Sequence, residues 1–464
     1  MFTVLYEFNS IPTRTRPSAR NGTPIVQPPL PARKYIPVVA KFWIAQAGAF
    51  AWAGISIILS QPWLRDLSGV VGFLPALMII AFIAYAPGYL VAFLAIALLI
   101  DRQPPFKTAD PDLPITILIA ARNEALNIGV TLRYIARQDY RGPVSVIIVD
   151  NGSMDGTTDV AWAVAGELKI NLLCIYENKP GKNFALNKGL SAVKTQYFVT
   201  LDADTLLHPL AIKHITARLL SSPSDVGAVA GHVLVRNSRE NFWTRMQEWD
   251  YFIGIASIKR TQGLYQGTLV AQGAFSLYKT EAVRQAGGWP DAIGEDIVLT
   301  WKLLESGYRV YFEPTAVAFT TVPSTWRHFC RQRSRWARGM FEGIRTVYPW
   351  QQPTYMKKFL TGVDVVIPFI DFFYTVVWIP GLIMACFGKY YIVGPYTLFV
   401  LPLNIGMTLI MYSYQRKVFD RLKLRIRKNR FGLMAYVLIY QLIISPVSLW
   451  GYIQDIFRMR RVWR

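Results

Sequence analysis

The sequence predicts an α/β fold, in which a mostly parallel sheet with helices on both faces is inserted between two groups of membrane-spanning helices. Two observations predict it. Within residues 108–323, short runs rich in β-branched residues alternate with helical segments, as in a parallel sheet. These runs are 115–120, 144–149, 172–176 and 197–201. On either side, apolar stretches reach the roughly 20 residues that a helix needs to cross a bilayer.

The first group of spans is a two-helix hairpin at residues 37–100. Residues 37–60 carry one charge, Lys41, and residues 72–100 carry none. Cationic residues flank the hairpin on both sides, so the positive-inside rule places both flanks in the cytoplasm. Residues 1–36 are rich in Pro and Arg and lack a short apolar core, which predicts a flexible basic tail and not a signal peptide.

The second group lies at residues 361–453 and comprises about three helices. Asp364 and Asp371 lie in the first of them and would have to face the protein interior or a wet cavity. The three apolar stretches are 361–387, 391–413 and 431–453.

Basic residues give this C-terminal region a topological conflict. Eight Lys or Arg residues lie between positions 416 and 430, which predicts a cytoplasmic loop. A fifth crossing would then place the basic tail at 454–464 outside, against the rule. Either the tail is an exception, or the stretch 431–453, broken at Pro446, does not fully cross. The sequence leaves both open.

The composition fits a membrane protein and gives no support to nucleic-acid binding. The formal net charge is +21 and 52% of the residues are hydrophobic. Excess Lys and Arg in cytoplasmic loops explains the charge, and no recognised nucleic-acid-binding motif accompanies it. The three cysteines, Cys174, Cys330 and Cys386, form neither a disulfide framework nor a paired zinc-ligand pattern. We therefore expect a reducing, cytoplasmic compartment for the soluble part.

Two carboxylate motifs follow predicted strands. Asp150 ends the second strand and leads through Asn151 and Gly152 into a helix, where open α/β sheets bind ligands. It could accept a hydrogen bond from a nucleoside, or it could form an Asx turn that caps the helix. Asp202 and Asp204 follow the fourth strand. Alternation along the strand puts both carboxylates on one side of the chain, where they could converge on Mg²⁺ or Mn²⁺.

Two further motifs lie downstream. Asp296 is a candidate general base, and Glu295 could orient it or bind the acceptor, although adjacent carboxylates also occur as solvated loops or helix caps. Gln332 and Arg335 share a helix face, and Arg suits bidentate contact with phosphate. Trp336 offers a flat apolar face on which a sugar ring can stack. The alternative for this stretch is an amphipathic interfacial helix, and both interpretations can hold together.

In this order, the four motifs resemble the D, DxD, ED, QxxRW signature of processive family 2 glycosyltransferases. That group includes cellulose, chitin, hyaluronan and poly-β-1,6-N-acetylglucosamine synthases. The resemblance covers roughly residues 111–350 and extends to the flanking membrane segments. Asn151 departs from the family, which often has a second Asp there, and Gly294 stands where cellulose-type enzymes often have Thr. Two more blocks match, Ala121-Arg122-Asn123-Glu124 and Gly181-Lys182-x-x-Ala185-Leu186-Asn187.

The resemblance implies a GT-A fold that uses a UDP-sugar donor and Mg²⁺ or Mn²⁺ and forms a β-linkage with inversion. It implies that Asp150 contacts uridine, and that Asp202 and Asp204 hold the donor sugar and the metal. It implies that Asp296, with Glu295, acts as the base on the acceptor hydroxyl. It further assigns substrate binding to Ala121, Asn123, Glu124, Lys182, Gln332, Arg335 and Trp336, the last three on the diphosphate and the polymer end.

Two segments predict contact with the membrane surface. In residues 241–262, aromatic and apolar residues interleave with basic ones, as in a helix at a membrane interface, although an ordinary amphipathic helix packed on the sheet is the alternative. Residues 324–352 form a second such segment. Similar enzymes use such helices to seat the catalytic domain under a channel for the growing polysaccharide. The resemblance implies a bacterial inner membrane, a cytoplasmic catalytic domain and contacts with membrane lipids, and it allows for accessory membrane or export subunits.

The donor sugar is predicted from one short run. Residues 295–303 resemble the ED-I-x-x-(S/T)-W-K-L run of poly-N-acetylglucosamine synthases, which favours UDP-N-acetylglucosamine and an exopolysaccharide product. Only a short basic tail follows the spans, which disfavours the bacterial cellulose form with its cyclic-dinucleotide barrel. A UDP-glucose-using β-glucan synthase and a non-processive transferase to polyprenyl phosphate stay open as alternatives. A non-catalytic scaffold has no use for the complete carboxylate set.

Overall fold

A computed structural model of the chain describes residues 36–102, 104–394 and 400–459, without the side chains of residues 400 and 401. Nearly all of the predicted N-terminal tail lies outside these residues, as does the C-terminal tail from residue 460 onward.

The N-terminal apolar region forms two long helical segments joined by a short one. The first is α1 (Val38–Leu59), followed by the amphipathic α2 (Gln61–Val71). The second segment comprises α3 (Phe73–Ile80), a π-helical turn and α4 (Ala86–Ile100). Helices α1 and α4 pack against each other along their lengths.

One eight-stranded sheet follows, and it confirms the predicted α/β fold. Its strands are β1 (Ile115–Ala121), β2 (Val144–Asp150), β3 (Asn171–Tyr176), β4 (Tyr197–Leu201), β5 (Leu206–Leu207), β6 (Val226–Val235), β7 (Phe275–Lys279) and β8 (Arg309–Thr320). They lie in the order β3-β2-β1-β4-β7-β6-β8-β5. The pairs β3-β2, β2-β1, β1-β4 and β6-β8 are parallel, whereas β4-β7, β7-β6 and β8-β5 are antiparallel.

The helices of this domain cover both faces of the sheet, which explains the almost continuous apolar runs of its strands. In β1, Leu118 points into the core with α7, whereas Ile117 and Ile119 point into the core with α5, α6 and α8. The domain's helices are α5 (Ala125–Ala136), α6 (Thr157–Leu168), α7 (Lys182–Ala192), α8 (Ala211–Leu220), α9 (Phe242–Trp249), α10 (Ala256–Leu264), α11 (Thr280–Gln285) and α12 (Glu295–Glu305).

The C-terminal third is helical. It comprises α13 (Trp326–Thr346), α14 (Tyr355–Phe373), α15 (Ile379–Cys386), α16 (Val400–Arg421), α17 (Arg430–Leu438) and α18 (Tyr440–Ile456).

Among the described residues, three helical segments are long and apolar enough to cross a membrane: Val38–Leu59, Phe73–Ile100 and Tyr355–Cys386. Helices α17 and α18 would make a fourth if they form one span, but they meet at an angle of 54°. The break lies at Ile439 and not at Pro446, which sits inside α18. The stretch predicted at 391–413 includes residues outside the described part, so it stays a prediction.

A buried carboxylate in the segment Tyr355–Cys386 accepts hydrogen bonds from another helix. Asp371 of α14 is buried and accepts hydrogen bonds from the Ser445 hydroxyl and the Tyr452 hydroxyl of α18, each at 2.8 Å. A buried carboxylate needs such partners, because its desolvation is otherwise costly. Helix α18 is thereby tied to α14.

The segment predicted to lie at a membrane interface forms one helix in which a π-helical stretch, Asp250–Ile255, joins α9 to α10. Most of its side chains are buried, and it contacts β8, α4, α16 and α17. It therefore lies between the sheet and helices α4, α16 and α17, and its contact with a lipid interface stays a prediction.

An ion pair joins α10 to the N-terminal hairpin. The guanidinium of Arg260 donates to the carboxylate of Asp101, which directly follows α4, at 2.5 Å, and both side chains are buried. The ring of Tyr414 from α16 lies 4.1 Å from the same guanidinium, and its hydroxyl donates to the Leu98 carbonyl at 2.7 Å. The pair thus fixes the sheet domain to the N-terminal hairpin, and Tyr414 links both to α16.

Candidate active site

The predicted site residues of the first half of the chain meet at one edge of the sheet. Strands β1, β2 and β4 are parallel, so the segments that follow Ala121, Asp150 and Leu201 leave the sheet at the same edge. Open α/β sheets bind ligands at this edge.

The loop after β1 is tied to the loop after β2. The Asn123 side-chain carbonyl accepts from the Met154 N–H at 2.8 Å, and the Asn123 N–H donates to the Ser153 hydroxyl at 3.0 Å. Asn123 adopts a left-handed backbone conformation, with φ of 56°, which Asn tolerates better than most residues. Both loops are therefore ordered by hydrogen bonds within the chain.

Glu124, the next residue, is partly buried. Burial raises the pKa of Glu124; its hydrogen bond from Asn127 opposes this shift, while nearby carboxylates reinforce it.

Asp150 holds the turn after β2, but through the N–H three residues on, so it forms no Asx turn and does not cap α6. Its carboxylate accepts from the Ser153 N–H and from the Thr158 hydroxyl, each at 2.8 Å, at the entry to α6. Turn formation and contact with a nucleoside are compatible, since a carboxylate has about four acceptor positions. The contact with uridine stays a prediction.

Asn151, which stands where the family often has Asp, has a definite role in the structure. Its amide nitrogen donates to the carbonyls of Glu177 and Lys179, at 3.0 and 2.7 Å, and its side-chain oxygen accepts from the Gly181 N–H at 2.7 Å. A carboxylate could not donate the first two bonds. The amide therefore fixes the loop that leads into α7 and Lys182.

Lys182 joins the second and third motifs. Its ammonium donates to the Asp202 carboxylate at 2.5 Å and lies over Gly273, where a Cβ atom would come within 3.0 Å of it. The Gly273 N–H in turn donates to the Asp296 carboxylate at 3.3 Å. Burial lowers the pKa of Lys182, but the carboxylates of Asp202, Glu295 and Asp296 outweigh it and raise the pKa overall. One cation thus serves both carboxylate motifs.

Asp204 carries a charge that the chain balances only in part. Its carboxylate accepts from the Thr320 hydroxyl at 3.2 Å, and burial, followed by repulsion from Asp202 and Glu124, raises its pKa to about 6. In the described part of the chain no group of three or more His, Cys, Asp or Glu residues could hold a metal ion. Asp202 and Asp204 instead suit an ion that takes one or two carboxylates and completes its shell with substrate phosphates, as Mg²⁺ does.

Glu295 and Asp296 begin helix α12. Burial and then the neighbouring Asp296 raise the pKa of Glu295 to about 7, and Lys182 opposes this rise. The Asp296 carboxylate accepts from the Ile297 N–H at 2.9 Å as well as from Gly273. Two adjacent carboxyl groups in one low-dielectric site cannot both ionise easily, so Glu295 retains a proton more readily than a solvated Glu.

Helix α13 carries the fourth motif. Gln332 and Trp336 are partly buried and Arg335 is exposed. Among the described residues the buried side-chain oxygen of Gln332 has no hydrogen-bond partner. Arg335 acts electrostatically on Glu295 and lowers its pKa, which places its charge near the acidic pair. The structure thus brings Arg335 near Glu295, while the contacts of Gln332, Arg335 and Trp336 with diphosphate and acceptor stay predictions.

Sequence reasoning assigned no role to Arg333, which lies between Gln332 and Trp336 in the chain. Arg333 is buried, donates to the Asp250 carboxylate at 2.7 Å and lies 4.1 Å from the Trp336 ring. It therefore fixes the indole and anchors α13 to the π-helical stretch. The available signal was Asp250 itself, an acidic residue in a helix rich in aromatic and basic residues, because a buried carboxylate requires a cation.

Comparison with known proteins agrees with this arrangement. The family described as "Glycosyltransferase like family 2" matches residues 111–339. A poly-β-1,6-N-acetyl-D-glucosamine synthase of Staphylococcus aureus (strain COL) is 34% identical over 229 residues, which cover 49% of this chain and 55% of that protein. The Staphylococcus epidermidis synthase of the same name is 31% identical over the same shares. The chain thus spans about half the length of the curated relatives it matches.

A solved structure shows the same fold. A mannosyltransferase from Pyrobaculum calidifontis, in complex with GDP-Man and Mn²⁺, superposes with a TM-score of 0.55 at 20% identity, covering 83% of this chain and 99% of that one. The GT-A fold is therefore confirmed. The family match, the relatives and the motifs at one sheet edge show that the chain contains a glycosyltransferase domain of family 2, at residues 111–339.

Proposed function

We propose that the protein transfers N-acetylglucosamine from UDP-N-acetylglucosamine to the end of a growing β-linked polysaccharide and passes the product across a membrane. The observation that carries this proposal is the placement of Lys182 between Asp202 and the Glu295-Asp296 pair. A donor-binding motif and a base motif are thereby held at one point, as a transfer reaction requires. The names of the relatives, which match half of the chain, support this choice of sugar and polymer.

On the donor side, Asp150 would accept from the uridine, and Asp202 and Asp204 would hold the donor sugar and a divalent cation, Mg²⁺ or Mn²⁺. Burial and, after it, repulsion from Asp202 and Glu124 raise the pKa of Asp204, and this supports the role because a bound cation would relieve both costs. The cation would neutralise charge that develops on the departing diphosphate. Ala121, Asn123, Glu124 and Lys182 would line the nucleotide pocket.

On the acceptor side, Asp296 would take the proton of the acceptor hydroxyl. The oxygen would then attack the anomeric carbon as the bond to the diphosphate breaks, and UDP would leave with the bonding electrons. Attack from the face opposite UDP inverts the configuration and gives a β-linkage. Gln332, Arg335 and Trp336 would bind the diphosphate and the polymer end, and the unmatched Gln332 oxygen supports a ligand there.

The membrane helices would place this chemistry at the cytoplasmic face of a bacterial inner membrane. The polymer would leave between helices that contact both the catalytic domain and the bilayer lipids. The contacts of α9 and α10 with the sheet on one side and with α4, α16 and α17 on the other support this arrangement. Accessory membrane or export subunits are compatible with it.

Purified full-length protein in lipid nanodiscs, supplied with labelled UDP-N-acetylglucosamine or UDP-glucose and Mg²⁺ or Mn²⁺, tests the proposal. We expect a high-molecular-weight product from UDP-N-acetylglucosamine only, with β-1,6 linkages by methylation analysis. Polymer made from UDP-glucose would show that the donor is UDP-glucose and not UDP-N-acetylglucosamine. A lipid-linked monosaccharide as the product would show that the protein transfers one sugar and does not polymerise. No incorporation from either donor would overturn the proposal.

A further inference from the structure

A side chain of another helix, α13, binds the backbone of the segment that leads into Glu295 and Asp296. The Glu342 carboxylate of α13 accepts from the Ile293 N–H at 2.6 Å and from the Gly294 N–H at 3.3 Å, and Glu342 is buried. Gly294 is the N-cap residue of α12 and has no side chain with which to cap it. The direction in which the chain enters α12 therefore depends on α13.

Two glycines bring these elements into backbone contact. A Cβ atom on Gly294 would lie 2.6 Å from the Gly339 Cα atom, and one on Gly339 would lie 2.7 Å from the Gly294 Cα atom. Neither backbone can give way without moving its helix. This contact lets the Glu342 carboxylate reach the two N–H groups, and it gives Gly294, for which the sequence suggested no role, a steric one.

Helix α13 is itself fixed by the C-terminal helix. The Phe341 ring stacks on the Tyr452 ring, with centroids 4.9 Å apart, and Arg345 pairs with Asp455. Arg338 donates to the Met459 carbonyl at 2.7 Å. Glu342 is four residues from Arg338 and three from Arg345, so it shares a helix face with them and acts from a helix that α18 holds in place.

From these contacts we infer that Glu342 is a positioning residue for glycosyl transfer. It holds the Ile293 and Gly294 N–H groups and so sets where the Glu295 and Asp296 carboxylates stand relative to the acceptor. The inference rests on the proposed function, since it assumes that Asp296 meets an acceptor hydroxyl. Glu342 itself touches neither donor nor acceptor in this account.

An open cleft makes the inference testable by rescue. A cavity of about 490 Å³ lies between α13, α18 and the segment before α12, and Glu342 is part of its wall together with Pro290, Asp291 and Ala292. Formate is small enough to enter such a space and has the carboxylate that a Glu342→Ala variant lacks. It can therefore replace the lost acceptor.

The test compares full-length wild type, Glu342→Ala and Glu342→Gln in nanodiscs. We expect Glu342→Ala to lower kcat for polymer synthesis about 10- to 100-fold, because small displacements of reacting groups cost that much. KM for the donor should stay within about twofold. Glu342→Gln keeps one carbonyl acceptor and should lose less. Sodium formate should restore part of kcat in Glu342→Ala, and should restore none in Asp296→Asn. Glu305→Ala removes an exposed carboxylate at the far end of α12 and should have no effect.

Hydrogen exchange provides a readout that does not depend on the sugar. Peptides spanning residues 290–298 should exchange faster in Glu342→Ala and slow again with formate. If wild type made no polymer, the proposed function would fall, while exchange at 290–298 would still decide whether Glu342 holds this segment. Unchanged exchange would overturn the inference. So would faster exchange with unchanged kcat in an active enzyme, or a kcat loss in Glu342→Ala that formate does not restore.

Discussion

The donor and acceptor sides of the site are built differently. On the donor side, Asp150 and Asn151 find their hydrogen-bond partners within about 30 residues, in loops of the same parallel half-sheet. On the acceptor side, Glu295 has a pKa of about 7 and the Gln332 oxygen lacks a partner within the described residues. The loops of the donor side are therefore ordered before ligand arrives, although the charge of Asp204 is balanced only in part, whereas the acceptor side keeps several polar groups that a ligand would satisfy. Its shape depends on helices that follow the sheet in the chain.

We expect the largest effect from Asp296→Asn, which should impair the acceptor-side chemistry and leave donor binding intact. Asp296→Asn should lower polymer synthesis about 1,000-fold, since removal of a general base typically costs between 100- and 10,000-fold. UDP affinity, measured by calorimetry, should stay near the wild-type value because the donor side is intact. Glu305→Gln, which changes an exposed carboxylate at the far end of α12, is the matched control. Wild-type synthesis by Asp296→Asn would show that the base lies elsewhere.

Lys182→Gln should act mainly on the donor side. Loss of the ammonium leaves Asp202 without its cation and adds repulsion toward a diphosphate, so we expect the Kd for UDP with Mn²⁺ to rise about 10- to 100-fold. Lys188→Gln, which removes an exposed cation from the same helix, serves as the control. If kcat fell and Kd did not change, Lys182 would belong to the acceptor side and the contrast between the two sides would fail.

Asn151→Asp tests the internal order of the donor side. The variant loses two donated hydrogen bonds and places a carboxylate against the Glu177 and Lys179 carbonyls. We expect the free energy of unfolding to fall by about 1–3 kcal/mol, as for buried groups left unsatisfied. Denaturant titration measures this, with the exposed Asn171→Asp for comparison. An equal stability of the two variants would mean that the loop is not held by Asn151.

The smallest effect concerns the stability of the acceptor side. Because the pKa of Glu295 rises from 4.5 to about 7 on folding, the folded protein binds this proton more tightly than the unfolded chain. Stability is therefore lost as pH rises through that window, and the full cost applies above pH 7. Glu295→Gln should raise Tm by about 2–6 °C at pH 8 and by less at pH 5. Thermal scans at pH 8 and pH 5 check the direction of this pH dependence. The control Glu305→Gln should leave Tm unchanged at both pH values.

The sequence predicts the parallel half of the fold well. Strands β1, β2 and β4 are apolar runs that end in polar motifs, so both their type and their ligand edge follow from local pattern. The mixed half is harder, because β6 contains Gly, Ala and His and owes its extended form to its neighbours. The π-helical stretch between α9 and α10 has no evident local signal either.

The site divides in the same way. Motif residues at strand ends are local and were predicted, whereas their supports are distant in the chain. Arg333 lies 83 residues from Asp250, and Glu342 lies 48 residues from Gly294. Such pairings depend on how helices pack, which periodicity does not specify. Asn151 shows the limit for a single residue, since only its three partners reveal why an amide stands there.

The buried pair of Arg260 and Asp101 has a consequence for dissecting the molecule. A protein trimmed to the sugar-transfer domain alone would lose Asp101 and leave the Arg260 charge buried without its carboxylate. It would also uncover the Tyr265 ring, which packs on Phe42 and Phe93 of the N-terminal hairpin. An uncompensated charge beside a newly exposed aromatic surface favours aggregation. The smallest well-behaved fragment should therefore keep the hairpin, and the sugar-transfer domain and the hairpin should fold as one unit.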